Sequence, residues 1–493
     1  MAIFSNICSG TLDKIARKEE NFNILFTGIE YDLKEHDMLF YKDKYFVPRL
    51  LALATPILLQ NLLSSSLNFI DVFMIGRLGE NEVAAVASAN QFFFVFMMLN
   101  FGLASGSAIF TAQHWGQKDV KSIRGVMGFG LILALGIALI FTVATLYSPE
   151  FAIRLFSQDP AVIRLGGTYL QIIALTFIIS AISINYAIVL RSTENVIYPM
   201  IASFTGVITN TVLNYLLIFG NFGFPKMGVA GAAVATLIAR STEMAIILSI
   251  TYIRKLPAAV KFADLFRFTR DQARFYLKKA LPVVLQTVGW SAGFSMFSII
   301  YGHISTESLA SFSIAGSIER ICLIFFTGIG AACSIMVGNR IGAGEEEKAR
   351  GYTQNFLLIS ISISIVISAL LFFLRTPIVS LYNLSGISRE YILGILLVMS
   401  CILWAKSTNV IFHMGIFKAG GDTLFSMIVD VGGVWLIGVP IALFAAFVLK
   451  LPVNLIVACL TIEEVTKMLV AYKRYRSGRW LHKLIAVTQV KEE

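Results

Sequence analysis

Twelve apolar runs, each long enough to cross a bilayer, fill residues 49–473 and leave few folds open to this chain. They start with 49–76, 83–112 and 123–147, continue through 162–190 and 196–220, and finish with 422–449 and 451–473. A helix needs about 20 apolar residues to span the hydrocarbon, and only helices or closed barrels satisfy their backbone there. Several runs exceed that minimum, which permits tilt or projection beyond the lipid. With 57% of 493 residues hydrophobic and only 14% charged, the chain lacks the polar surface that a soluble protein of its length needs. The predicted fold is an all-α integral membrane protein with twelve transmembrane helices.

The net charge of +10 could suggest a nucleic-acid partner. The basic residues, however, lie in short clusters between apolar runs: Lys42, Lys44 and Arg49; Lys118, Lys121 and Arg124; the stretch from Arg254 to Lys279; Arg340, Lys348 and Arg350; and Lys473 to Lys483. All fall at one set of helix ends. The positive-inside rule puts those ends, and both termini, in the cytoplasm, and no nucleic-acid partner is expected. Residues 1–45 are polar, show no cleavable apolar core and read as a cytoplasmic tail, with Met38 a plausible alternative start. The five cysteines show no metal or disulfide spacing.

An internal repeat organises the rest. Sliding the chain by 226 positions aligns residues 54–125 with 280–351 without a gap: Pro56 meets Pro282, Gly76 meets Gly302, Gly102 meets Gly328 and Gly116 meets Gly342. A slip of 227 then pairs Met200-Ile201 with Met427-Ile428 and Gly206 with Gly433. The expected organisation is an N-lobe at 46–254, a cytoplasmic linker at 255–275, a C-lobe at 276–475 and a cytoplasmic tail at 476–493. Six helices return the chain to its starting side, so the two six-helix bundles should be related by a pseudo-two-fold axis along the membrane normal. Such duplication suits a transporter that rocks two bundles about a central site and has no evident use in an enzyme. No serine–histidine–acid set, phosphate loop or metal-ligand cluster points to catalysis either.

Asp71 is the first candidate for chemistry. A charged side chain deep in a membrane costs roughly 2.5–3.5 kcal/mol on insertion scales, so it is rarely kept without a partner or a task. Its repeat counterpart is Phe297, which confines the acid to the first half. Asn210 and Asn214 share a helix face at i,i+4 spacing, Asn185 lies on the fourth run and Thr236 on the sixth. Carboxylate, amide and hydroxyl oxygens suit a hard monovalent cation or a protonated Asp71; the same residues could instead glue helices together. Arg240 and Glu243, and Glu464 and Lys467, read as ion pairs. Asp430 could face a cavity for cationic guests or pair with Lys406, and the Phe and Met residues would suit a greasy cavity.

Taken together, the chain resembles the multidrug and toxic compound extrusion (MATE) family from about residue 46 to 475. The resemblance rests on Thr55-Pro56, Phe69-Ile70-Asp71 with Gly76-Arg77-Leu78-Gly79, Gln113-His114-Trp115-Gly116-Gln117 and Leu190-Arg191-Ser192. It continues through the Asn210/Asn214 helix, Gly228 to Thr236, Val337 to Gly344, and Lys418-Ala419-Gly420-Gly421-Asp422-Thr423. The resemblance implies a V-shaped pair of lobes in the plasma (inner) membrane that export organic cations in exchange for Na⁺ or H⁺, with no other cofactor. The family's N-lobe cation site carries over onto Asp71, Asn210 and Asn214, and then onto Asn185 and Thr236. Members with a C-lobe cation site carry acids in the seventh and tenth helices, where this chain has Gln286-Thr287-Val288-Gly289-Trp290 and Lys406-Ser407-Thr408-Asn409. That departure places coupling in the N-lobe. Gln286, Trp290, Glu319, Lys406 and Asp430 are the expected lining of the substrate cavity.

The expected function is cation-coupled antiport of a small organic substrate by alternating access, by a monomer surrounded by membrane lipid. The alternative is a lipid-linked oligosaccharide flippase, which would need a cationic cavity; Lys406, Arg240 and Arg320 are the candidates for it.

Overall fold

A computed structural model describes residues 40–382 and 386–485, and within them not the side chains of 67–69 and 72. Residues 1–39 and 486–493 of the expected tails lie outside that description. The first half comprises α1 (Phe46–Gly76), α2 (Glu80–Gly116), α3 (Val120–Tyr147), the short α4 (Pro149–Arg154), α5 (Pro160–Ile173), α6 (Thr176–Ser192), α7 (Ile197–Phe219) and α8 (Gly228–Ile253). The second comprises α9 (Arg270–Ile304), α10 (Thr306–Gly342), α11 (Glu346–Ser380), α12 (Gly386–Ala419), α13 (Thr423–Val448), α14 (Val453–Cys459) and α15 (Thr461–Arg476). No strand occurs among the described residues.

Ten of these helices are long and apolar enough to cross a membrane, and the α5–α6 pair makes an eleventh span. This is a multi-pass membrane protein. The run expected as one helix over 162–190 is bent by 52° between α5 and α6. At the break the Ala174 carbonyl accepts the Phe177 N–H at 3.4 Å and a hydrogen bond from Thr142 Oγ1 at 3.1 Å, and so stays satisfied in the bilayer. The last run, 451–473, becomes α14 and α15, and α15 brings Glu463, Glu464 and Lys467 into the interior. Helix α9 starts at Arg270, inside the stretch expected as linker, because Thr269 and Gln272 form a reciprocal cap there.

The two halves meet as the repeat dictates. Gly102 lies against Val284 and Gly328 against Leu58; each pair is the other moved by 226 positions. At the ends of α2 and α10 the backbones touch. A Cβ on Gly116 would stand 2.1 Å from the Asn339 carbonyl, and one on Gly342 would stand 1.8 Å from that of Gln113. Only glycine permits such an approach. The contact is that of a two-fold dimer built within one chain.

Polar groups complete this seal at the basic ends of the helices. Tyr276 and Ser107 share a hydrogen bond of 2.7 Å across the halves. Asn339 Nδ2 donates to Glu194 at 2.6 Å, and Arg49 pairs with the same carboxylate. Gln113 is fully buried: its Nε2 donates to the Ala419 and His482 carbonyls, both at 3.0 Å, and its Oε1 accepts the Leu484 N–H at 2.8 Å. Residues 477–485 are therefore packed rather than free. Trp480 is fully buried against Gly420, and Leu484 sits in the apolar cluster that holds Phe110 and Tyr276.

Candidate cation and substrate site

Asp71 lies on α1 about 20 Å beyond Leu58, at a rise of about 1.5 Å per residue, and so well past the seal. Its carboxylate accepts a hydrogen bond from Asn214 Nδ2 at 2.6 Å. The same amide donates to Asn210 Oδ1 at 2.9 Å, and Asn210 Nδ2 reaches Thr236 Oγ1 at 3.3 Å. The i,i+4 spacing thus puts both amides on one face of α7, and α8 supplies the hydroxyl. Tyr169 on α5 pairs with Thr236 and stands within electrostatic reach of Asp71. Nothing in the sequence singled out that tyrosine, because a helix that resumes after a bend gives no motif to read.

Two features keep Asp71 from being a locked structural acid. Arg240, the base whose charge acts on Asp71, sends its guanidinium to Glu243 at 2.9 Å, and Glu243 is held further by Ser203 at 2.6 Å. Asn214 Oδ1 is buried with no hydrogen-bond partner among the described residues. A carboxylate beside an orphaned amide oxygen fits a small cation, and either Na⁺ or a proton meets that description.

Asn185 has other partners. Its Nδ2 donates to Asn100 Oδ1 at 3.2 Å and to the Ala181 carbonyl at 2.8 Å. Neither partner belongs to the Asp71 group: Asn100 is on α2 and Ala181 lies one turn back on α6.

The second half gathers its own polar residues. Gln286 donates to Asp430 at 2.9 Å. Asp430 does not pair with Lys406, as one expectation had it: Lys406 is taken by Glu319, and the ammonium near Asp430 is Lys467 at 3.7 Å. π-type turns at Ile411–Ile416 and Gly433–Gly438 widen the two helices that carry His413 and follow Asp430. Trp290 is exposed and stacks on Phe294. Arg320 is exposed and bonds Ser317 at 2.8 Å. Of the three cations that a pyrophosphate cavity would need, Arg240 and Lys406 are thus paired with acids.

Two pseudo-symmetric helical halves sealed at one end, with a polar group on the apolar helices beyond the seal, fit a transporter rather than an enzyme. Residues 56–216 and 282–444 each match the MatE family, one copy per half, and the chain belongs to that family of multidrug transporters. It is similar to the probable multidrug resistance protein YoeA of Bacillus subtilis, 26% identical over 81% of this chain and 86% of that one. The probable multidrug resistance protein NorM of Rhizobium meliloti is 30% identical over 60% of this chain, and that match spans 63% of the relative. Among solved structures, a MATE in a bent conformation superposes with a TM-score of 0.80 over 87% of this chain and 94% of that one at 19% identity. An outward-facing MATE transporter does so at 0.79 over 90% and 96%, at 18% identity.

Proposed function

We propose that this protein exports small organic, mainly cationic, compounds from the cytoplasm in exchange for Na⁺ or H⁺ bound at Asp71. The observation that carries the proposal is the Asp71–Asn214–Asn210–Thr236 chain with its unpartnered Asn214 oxygen. The protein acts as a monomer in the plasma membrane, with both termini and the sealed, basic face toward the cytoplasm. Its likeness to a relative solved facing outward supports that orientation of the open side.

The ion enters from outside and is held by Asp71, Asn214 and Asn210. It favours the inward-facing arrangement, to which substrate binds from the cytoplasm while the ion leaves. The ion can drive this only by binding the two arrangements unequally. One monovalent ion exchanged for one monovalent substrate moves no net charge, so each tenfold ion gradient supplies about 1.4 kcal/mol. The flippase alternative gains no support from Lys406 or Arg240, which are paired with Glu319 and Glu243.

The test is tetraphenylphosphonium transport in proteoliposomes under an imposed Na⁺ or pH gradient. Wild-type protein should transport against the probe's gradient with one of the two ions, and Asp71→Asn should lose this while remaining monodisperse. Gradient-driven transport at the wild-type rate by Asp71→Asn refutes the assignment.

A further inference from the structure

The connection between the two halves carries a surface that their packing does not use. From Arg254 to Lys279 the chain has eight basic residues and only two acids, Asp264 and Asp271. Asp264 is an internal fastener: it is 2% exposed, accepts the Lys261 N–H at 2.8 Å and pairs with Arg267 at 2.7 Å. It closes the turn Phe262–Phe266, whose backbone rests on α3. A Cβ on Gly128 would stand 2.8 Å from the Asp264 carbonyl oxygen and 3.0 Å from Leu265 Cα. Phe268 extends this contact by stacking on Phe129, with ring centroids 5.0 Å apart.

With its inner side held on α3, the turn has a defined outer side. Phe262 and Phe266 are 79% and 71% exposed, and their rings meet edge to face at 5.7 Å as one apolar knob. Lys261, Arg270, Arg274 and Lys278 flank it, all exposed and without an ion-pair partner among the described residues. The last three share a face of α9 at i,i+4 spacing. Exposed Leu281 and Leu285 follow them on that helix, where the charged surface gives way to an apolar one.

Depth indicates what the knob meets. Helix α3 starts at the basic end of the bundle, and from Gly128 to Tyr147 it rises about 29 Å at about 1.5 Å per residue. That rise matches the hydrocarbon thickness of about 30 Å. The turn on Gly128 therefore stands where hydrocarbon meets headgroups. Apolar rings flanked by basic side chains at that level bury the rings among acyl chains and draw anionic headgroups to the cations.

We infer that the turn Phe262–Phe266 is a lipid-docking element: its two rings enter the leaflet on the basic side, and Lys261, Arg270 and Arg274 hold the phosphate groups of anionic phospholipids. This docking is independent of Asp71 and of the compound carried. The experiment uses the full chain, lacking its native cysteines, with Phe262→Cys bearing an NBD fluorophore. The protein is placed in phosphatidylcholine vesicles containing brominated phosphatidylcholine or, at equal mole fraction, brominated phosphatidylglycerol. Both should quench the fluorophore, and the anionic lipid should do so about twofold more. That preference should vanish at about 1 M salt, where the screening length falls to about 3 Å. Lys261→Gln/Arg270→Gln/Arg274→Gln should equalise the two lipids while quenching by brominated phosphatidylcholine persists. A fluorophore quenched by neither lipid, whether open to aqueous iodide or covered by another protein segment, overturns the docking. Equal quenching by the two lipids in the labelled parent overturns the headgroup assignment, and that measurement decides even where the triple variant fails to fold.

Discussion

Replacing Gln113 with Leu should unseal the two halves without touching the Asp71 group. The amide makes three hydrogen bonds from a fully buried position, two to carbonyls of the second half and its tail and one from the Leu484 N–H. Each is worth roughly 0.5–1.5 kcal/mol net, so the closed arrangement loses about 1.5–4.5 kcal/mol. At about 1.4 kcal/mol per tenfold, the open fraction should rise between about ten- and a thousandfold. Leucine is close in volume, so packing changes little. The assay is maleimide labelling of Ala112→Cys, introduced into protein lacking its native cysteines. Ala112 is 2% exposed and faces Gly338 across the seal, and its labelling rate from the basic face follows the open fraction. A rate within twofold of the Gln113 parent would refute the idea that this side chain holds the halves together.

Other expectations follow from the same contacts. Gly342→Ala places a Cβ 1.8 Å from the Gln113 carbonyl, so it should abolish transport of tetraphenylphosphonium and raise Ala112→Cys labelling, while expression and membrane insertion are retained. The loop carboxylate Asp422 bonds Arg474 at 2.7 Å. Burial would raise its pKa, but hydrogen bonds and charge from His482 and Arg474 bring it below the ordinary 3.8. Its contribution is therefore complete above that value and disappears as pH falls through the lower folded-state value. Pepsin should accordingly release the segment around Trp480 only below the ordinary carboxylate range, whereas Asp422→Asn should release it at milder acidity.

The helical class and the duplication were legible because both are written in periodic signals, apolar length and recurring glycine. Gly116 and Gly342 stood out as aligned landmarks, and they prove to be where the two backbones touch. The Asp71 chain was partly legible: i,i+4 spacing puts Asn210 and Asn214 on one face whatever the neighbours do. The partner of Asn185 was not, since the sequence does not show that α2 brings Asn100 beside α6. Nor could sequence pair Lys406 with Glu319 and Lys467 with Asp430, because the choice depends on which helices are adjacent. Gln113 falls within a family-like motif, but its role is invisible in pattern because it binds main-chain atoms, which every residue possesses.

The packed segment after α15 bears on how the protein can be handled. A purification handle or fluorescent reporter inserted near Trp480 or Leu484 would interrupt residues that belong to the closed face, so it should be tolerated only when it leaves both side chains seated. Trimming the chain back to Arg476, which would look harmless on a hydropathy plot, would strip the lid from that face.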